Sequence, residues 1–489
     1  MPRAERPGAL SVSQPVSEPV SPAQRPGLII GLLVASAFVM ILNETVMNVA
    51  LPVLIGELNV TASTVQWLTS GFLLTMAVVI PMSGALLTRY STRTVYLVSM
   101  GLFCAGTLTG ALATGFAMLV VARVVQACGT ALMMPLLMTT VMRLVPADRR
   151  GQTMGTISIV IAVAPAIGPT LSGLIVRLLG WHWLFALVLP IAVVAAAAGA
   201  RWLWVDDEPE DPAPIDPVSV PLSAIAFAGL VLGLTLVGES GPRLPAWAPT
   251  TVGVAAMVAF GARQLHLQRS DRAFLDLRPF THRRYAASLT LVVLGFIALF
   301  GAIIMVPLYV QDVLGRSVLV AGLCSLPGGV LMGVAGPVVG RIYDRHGARR
   351  IVVVGAMLLS AVLWGLTTLT ERTHLWQLVT LQTVMMLGLS MMFTPLMTNA
   401  LSALPERLYS HGSAIMSTLQ QVGGAAGTAL FVMVMGTASR SGGAPDMPGV
   451  HAAFLCAAVI GTVVLVLAVL SAGRPDASSD ALVAASGPG

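Results

Sequence analysis

Lysine is absent from this chain of 489 residues: all 27 basic side chains are arginine. That absence excludes a Gly-x-x-x-x-Gly-Lys phosphate loop, and with it an ATP-driven pump of that kind. Charge of either sign is scarce, at 10% of residues, where a soluble domain carries about 25%. Such a chain cannot clothe itself in a water-facing surface. The four cysteines, Cys104, Cys128, Cys324 and Cys456, all lie inside apolar runs, where they read as inert buried thiols and exclude a disulfide framework or a thiolate metal site. His182, His266, His282, His346, His374, His411 and His451 fall in loops or at the ends of apolar runs, so there is no mid-membrane pair of axial haem ligands. No metal, cofactor or enzymatic centre is expected. The longest internal polar gap, 264–285, is too short for a soluble core of its own.

What the chain has in excess is apolar sequence. Hydrophobic residues make up 56% of it, and the mean hydropathy is +0.87. Runs of about 20 apolar residues, enough to cross a bilayer, recur along its length. The pattern predicts fourteen spans, at 28–51, 64–87, 94–113, 116–142, 153–177, 181–204, 219–238, 246–264, 286–310, 318–341, 350–369, 375–402, 411–436 and 451–472. Residues 1–26 and 474–489 read as disordered tails. The first run is too long for a signal peptide and carries a carboxylate.

With the N-terminus inside, the inner loops and tails hold 21 arginines and the outer ones only five, Arg177, Arg243, Arg316, Arg372 and Arg440. This is the positive-inside pattern, and it places both termini in the cytoplasm. The net charge of +6 is therefore a topological signal and not a nucleic-acid footprint. A repeat is also visible. Pro52, Pro81, Gly84, Arg89 and Arg93 recur 255 or 256 residues later as Pro307, Pro337, Gly340, Arg345 and Arg349, and Pro135 and Pro146 recur as Pro395 and Pro405. The expected fold class is an all-α membrane protein of two six-helix bundles, 27–205 and 286–473, related as a parallel pseudo-two-fold repeat. A linker at 206–285 adds two further transmembrane helices.

Four motifs carry a family likeness. After span 10 the chain reads Gly340-Arg-Ile-Tyr-Asp344-Arg345-His-Gly347-Ala-Arg349-Arg350, and its first-half counterpart is Gly84-Ala-Leu-Leu-Thr88-Arg89-Tyr-Ser91-Thr-Arg93, with no acid and no second glycine. Span 4 holds Arg123-Val-Val-Gln126-Ala-Cys-Gly129; span 5 holds Gly155 and then Gly168-Pro169-Thr-Leu-Ser-Gly173. Span 1 ends Leu42-Asn43-Glu44-Thr45-Val46-Met47-Asn48-Val49-Ala50-Leu51-Pro52. Together these resemble the major facilitator superfamily, its fourteen-span drug–proton antiporters, and within them the lincomycin-resistance branch. In that family an aspartate usually stands where Asn43 is, so the acid here is displaced by one residue. The resemblance implies a bacterial cytoplasmic-membrane exporter of drugs, antibiotics or other small amphipathic compounds, driven by protons, working by alternating access and conferring resistance. It implies no cofactor and function as a monomer. A dedicated exporter of one metabolite or antibiotic, or a substrate–proton symporter, is the alternative.

The residues themselves point to Glu44. Every other Asp and Glu lies in a tail, a loop or a span end. Glu44 falls about 16 residues into span 1, roughly 24 Å along it. A mid-span arginine, Arg123, costs a few kcal/mol to insert and demands a partner or a wet cavity; Glu44 and Arg123 are thus the expected proton-coupling pair. Polar residues in apolar spans outline a candidate substrate cavity: Asn43, Met47, Asn48, Gln66, Trp67, Gln126, Gln311, Asp312, Asn399, Ser417, Gln420 and Gln421. Gating and close helix packing are expected at Gly84, Arg89, Arg93, Gly155, Gly168, Pro169, Gly173, Gly340, Asp344, Arg345, Gly347 and Arg349. Asp344 is expected to hold arginines of a gate, Gly347 to turn the chain tightly, and Pro169 to bend its span.

Overall fold

The computed structural model describes residues 26–205, 216–237, 245, 247–270, 272–439 and 446–472. Among these there is no β-strand. The long helices in chain order are α1 (Pro26–Leu58), α2 (Trp67–Arg89), α3 (Thr92–Ala111), α4 (Phe116–Leu144), α5 (Arg150–Leu179), α6 (Val188–Trp202), α7 (Ser219–Val237), α8 (Trp247–Leu267), α9 (Arg283–Leu308), α10 (Val318–His346), α11 (Ala348–Leu366), α12 (Leu375–Ser402), α13 (Tyr409–Ala438) and α14 (Met447–Ala472). Twelve stretches among the described residues are long and apolar enough to cross a membrane. α7 and α8, at 19 and 21 residues, are not among the twelve: α7 contributes the shorter apolar stretch Ser219–Leu234, and α8 carries Arg263, Gln264 and His266 in its last turns. Large apolar side chains such as Val194, Val258 and Leu178 stand exposed around the outside, a surface suited to lipid and not to water.

Local chemistry sets the helix ends. Ser91 and Ser317 cap α3 and α10, each hydroxyl accepting from the backbone N–H three residues on. α10 stops at Gly347, whose φ of 75° is open to glycine and costly for other residues, so α11 starts one residue later. Pro146 and Pro405, the repeat-related prolines, each open a short 3-10 turn, Ala147–Arg149 and Glu406–Leu408, from which α5 and α13 begin.

Packing recurs at an interval of eight helices. α1 packs on α4, α5 and α6 as α9 packs on α12, α13 and α14; α2 meets α4 as α10 meets α12; α3 meets α4 and α6 as α11 meets α12 and α14. The two sets join through α5–α10 and α2–α13. At α5–α10 the contact is backbone on backbone: a Cβ added to Gly151, Gly155, Gly336 or Gly340 would run into the facing main chain. The four-residue spacing of these glycines puts them on one stripe of each helix. α7 pairs with α8 and lies across α2 and α13, its Phe227 and Val231 packing with Ala77 and, at the margin, Val422 and Ala425.

The loops after α2, α4, α10 and α12 gather Arg89, Arg93, Arg149, Arg150, Arg345, Arg349, Arg350 and Arg407 at one end of the bundle, hereafter the basic end.

Candidate functional site

α1, α2, α3 and α4 converge on Arg123, which is 1% exposed. Its Nη1 donates to Gln126 Oε1 at 3.1 Å and to Asn43 Oδ1 at 3.4 Å, its Nε donates to the Leu68 carbonyl at 3.3 Å, and the guanidinium carbon stands 4.0 Å from the centre of the Phe72 ring. Gln126 Nε2 passes the chain of bonds to Thr107 Oγ1 at 2.9 Å. Nη2 of Arg123 is buried with no protein partner. Glu44, the other residue of the expected coupling pair, makes no ion pair with it: among the described residues no cation lies within 4.0 Å of the Glu44 carboxylate. Adjacent residues of a helix point about 100° apart, so Asn43 takes the arginine and half-buried Glu44 looks along a different face.

Small residues of α5 bring α1 close. Gly168 sits against Thr45, where any side chain would collide, and Ser172 Oγ donates to the Val46 carbonyl at 2.6 Å. Gly155 belongs to the α5–α10 seam. Gly173 differs from expectation: it is exposed, with nothing within 4 Å of the place a Cβ would occupy, so no close packing occurs there. The helix runs unbroken through Pro165 and Pro169; the side chains of Pro169 and Asn48 lie outside the described residues.

Two hollows open in the half of the bundle away from the basic end. One, of about 470 Å³, lies between α2, α7, α9 and α13 and is lined by Gln66, Ser70, Val231, Phe300, Gln421 and Thr428 among others. The second, of about 240 Å³, lies between α5, α9, α10 and α12, with Gln311, Ser325 and Gln382 supplying its polar atoms. Gln382 escaped the sequence reading. It is 1% exposed and its Oε1 has no protein partner, and a glutamine two turns into an apolar span was the signal available. Of the expected cavity residues, Gln66, Gln421 and Gln311 line these hollows. Asn43, Met47, Gln126, Ser417 and Gln420 are buried in helix contacts instead, and Trp67 and Asp312 are exposed at helix ends. Asn399 faces the basic end, donating to Ser288 Oγ at 2.9 Å.

At the basic end the two sets are bonded to each other. Asp344, at the end of α10, accepts through Oδ1 from the Gly151 N–H at 2.7 Å and through Oδ2 from the Gln152 N–H at 2.8 Å. The carboxylate thus holds the N-terminus of a helix in the other set, where backbone N–H groups and the helix dipole favour negative charge. It does not hold the arginines expected of it. Thr139 Oγ1 bonds Ser413 Oγ at 2.7 Å, Ser158 Oγ bonds Thr394 Oγ1 at 2.9 Å, and Arg150 reaches the Tyr409 hydroxyl at 3.4 Å, all between the sets and all in this half. Thr88, at the place of the missing first-half acid, bonds only carbonyls of its own helix. Gly84 lies against His411, Ala414 and Leu275. Arg93 donates to the Ala200 carbonyl at 2.6 Å under the Trp204 ring, Arg345 is exposed, and Arg349 lines a separate cavity.

The segment after α8 joins these contacts. Leu275 is buried beneath α2 and α13; its N–H donates to Gln264 Oε1 at 3.1 Å, and the Asp276 N–H donates to His411 Nδ1 at 3.3 Å. Gln264 bonds Ser219 at the start of α7, and Asp216 binds Arg263 through both oxygens, at 2.6 and 2.7 Å. The Arg263 hydrogen bonds hold the Asp216 carboxyl well below the usual carboxylate range.

Known proteins match along most of this length. The sequence profile of the Major Facilitator Superfamily matches residues 33–428. The lincomycin resistance protein LmrB of Listeria monocytogenes is 38% identical over 420 residues, 85% of this chain and 88% of that one. A multidrug resistance protein B homolog of Mycobacterium tuberculosis is 29% identical over 437 residues, covering 85% of this chain and 80% of its own. The crystal structure of the human organic anion transporter MFSD10 superposes with a TM-score of 0.65 at 15% identity, over 91% of this chain and 100% of that chain.

Proposed function

Since the chain belongs to the major facilitator superfamily and is therefore a multi-pass membrane transporter and not an enzyme, we propose that it is a proton-driven antiporter exporting drugs, antibiotics or similar amphipathic compounds from the cytoplasm by alternating access. Fourteen spans, two pseudo-symmetric six-helix bundles at 27–205 and 286–473 and an inserted pair at 206–285 make up the carrier. The basic end faces the cytoplasm of a bacterial cell, a reading the arginine asymmetry supports, and the form described here is then closed to the inside and hollow toward the outside.

The observation that carries the coupling proposal is the separation of Glu44 from Arg123. A carboxylate in the middle of an apolar span, without a fixed cation, is able to gain and lose a proton as access alternates, whereas a permanent ion pair is not. The hollows supply a mostly apolar surface with a few amide groups, suited to amphipathic molecules and to little of high charge. Export of a single antibiotic is the second reading, favoured by the relative that is named for lincomycin resistance. Susceptibility profiling of an efflux-deficient host expressing this chain tests both. Resistance to several unrelated classes supports broad export, resistance to one supports the dedicated form, and no change with any compound removes drug export altogether.

A further inference from the structure

We propose that the cargo is uncharged and two-lobed, lying across Ile303 of α9 with one lobe in each hollow, and that Ile303 sets which molecules fit. The inference rests on the exporter reading above and names its substrate class. Ile303 is the one residue that the described linings of the two hollows share. Helical phase puts it there. Leu299, Ile303, Pro307 and Gln311, spaced by four, face the smaller hollow, while Phe300 and Ile304, each one position further round, face the larger. Ile303 is 38% exposed, and it is the only exposed residue between 291 and 310. An apolar side chain uncovered at that point is left for the waist of a bound molecule to cover.

Size and charge select the cargo. A drug-sized ligand takes a pocket of about 300–1,000 Å³. The smaller hollow, at about 240 Å³, falls short of that alone, whereas with the larger, at about 470 Å³, it makes room for two lobes. No ionisable side chain is among the described linings of either, so a charged group would lose its water there without gaining a partner. Each hollow has its own uncharged hydrogen-bonding groups. Gln66, Ser70 and Gln421 serve one, Gln311 and Ser325 the other, and Gln382 beside them keeps an acceptor oxygen with no protein partner. Each lobe is therefore an apolar body carrying an amide, sulfonamide or hydroxyl group, and neither carries a charge.

The test uses the purified full-length chain in detergent and three probes that share one fluorophore: dansylamide (one lobe), didansylcadaverine (two lobes) and dansylcadaverine (one lobe and a cation). Binding is read near neutral pH from dansyl emission on direct excitation, with empty micelles subtracted. Didansylcadaverine should bind about tenfold or more tighter than dansylamide, and dansylcadaverine no tighter than dansylamide. Ile303→Trp adds bulk where the hollows meet, and Ser325→Trp fills the smaller hollow from α10. Each should remove the two-lobe advantage while dansylamide still binds, an outcome that unfolding does not give. Ile303→Val should keep the advantage, as should Leu178→Trp on the outer surface. An advantage that survives both Ile303→Trp and Ser325→Trp overturns the proposal, as does dansylcadaverine binding tightest of the three; neither result touches the exporter reading. Saturable binding of none of the probes also overturns it, and failure of export itself is then read separately, from the susceptibility profile.

Discussion

Arg123 donates to the side-chain oxygen of Asn43 at 3.4 Å, and Glu44, one residue further along the same helix, makes no ion pair with it. The arginine is held by neutral acceptors and an aromatic face, with one N–H pair left over. Every acceptor within hydrogen-bond reach of the guanidinium is thus neutral.

Glu44→Gln keeps the shape of the side chain and removes the proton. It should abolish uphill export in proteoliposomes with an imposed pH gradient, while folding is retained; Glu44→Asp should keep part of the activity. Exporting a neutral compound against a tenfold gradient costs about 1.4 kcal/mol, and a proton entering down about 100 mV supplies about 2.3 kcal/mol, so one proton per cycle suffices. Accumulation at near wild-type rates by Glu44→Gln would assign coupling to another group.

Asn43→Leu leaves a buried guanidinium with one acceptor fewer, and the loss should be about 1–3 kcal/mol. Asn43→Asp restores an acceptor and should keep the melting temperature at or above that of the parent. If both variants melt alike, the Arg123–Asn43 contact contributes nothing to stability.

Asp344→Asn weakens the hold on the α5 N-terminus, and Gly340→Leu places a side chain where the Gly151 main chain lies. Both act on closure of the basic end and not on the hollows. Transport should slow several-fold in the first and stop in the second, with substrate affinity largely unchanged in binding assays. A lost affinity in Asp344→Asn would move that residue from the gate to the cavity.

The Asp216–Arg263 pair gives a pH signature. The folded-state carboxyl titrates below its unfolded value, so its stabilisation is complete above about pH 4 and fades as pH falls toward the folded value. The melting temperature of the parent should be insensitive to this pair between about pH 5 and 8, and Asp216→Asn should lower it by a few degrees throughout that range. A variant that melts with the parent at neutral pH shows the pair to be dispensable.

Single cysteines at Arg272 and Arg316, both exposed, report the sidedness of the fourteen-span arrangement in a background without native cysteines. An impermeant outside reagent should label position 316 in intact cells and spare position 272. The reverse pattern, or labelling of both, is incompatible with the proposed topology.

The helices were legible because bilayer thickness writes itself into run length, and the Gly347 turn because one left-handed residue has few substitutes. Partners far apart in sequence were not. Nothing local to Asp344 says that its acceptors meet the Gly151 and Gln152 N–H groups rather than an arginine, since that contact exists only once two bundles dock. The seam did leave a trace, in Gly151 and Gly155 and again in Gly336 and Gly340, each pair four apart. The Arg123 contact turned on a single residue of helical phase, about 100°, which separates Asn43 from Glu44 and which composition cannot resolve. Asn399 was misplaced for a related reason: an amide in a span signals a polar neighbour without saying at which depth the cavity lies.

α7 touches both α2 and α13, one from each bundle. Any rocking that parts those helices must be taken up as slip along this one, whose Phe227 and Val231 are lodged on the first-bundle side. Under the proposed alternating access, shortening or lengthening the inserted pair is expected to change the size of cargo accepted, with every cavity residue left in place.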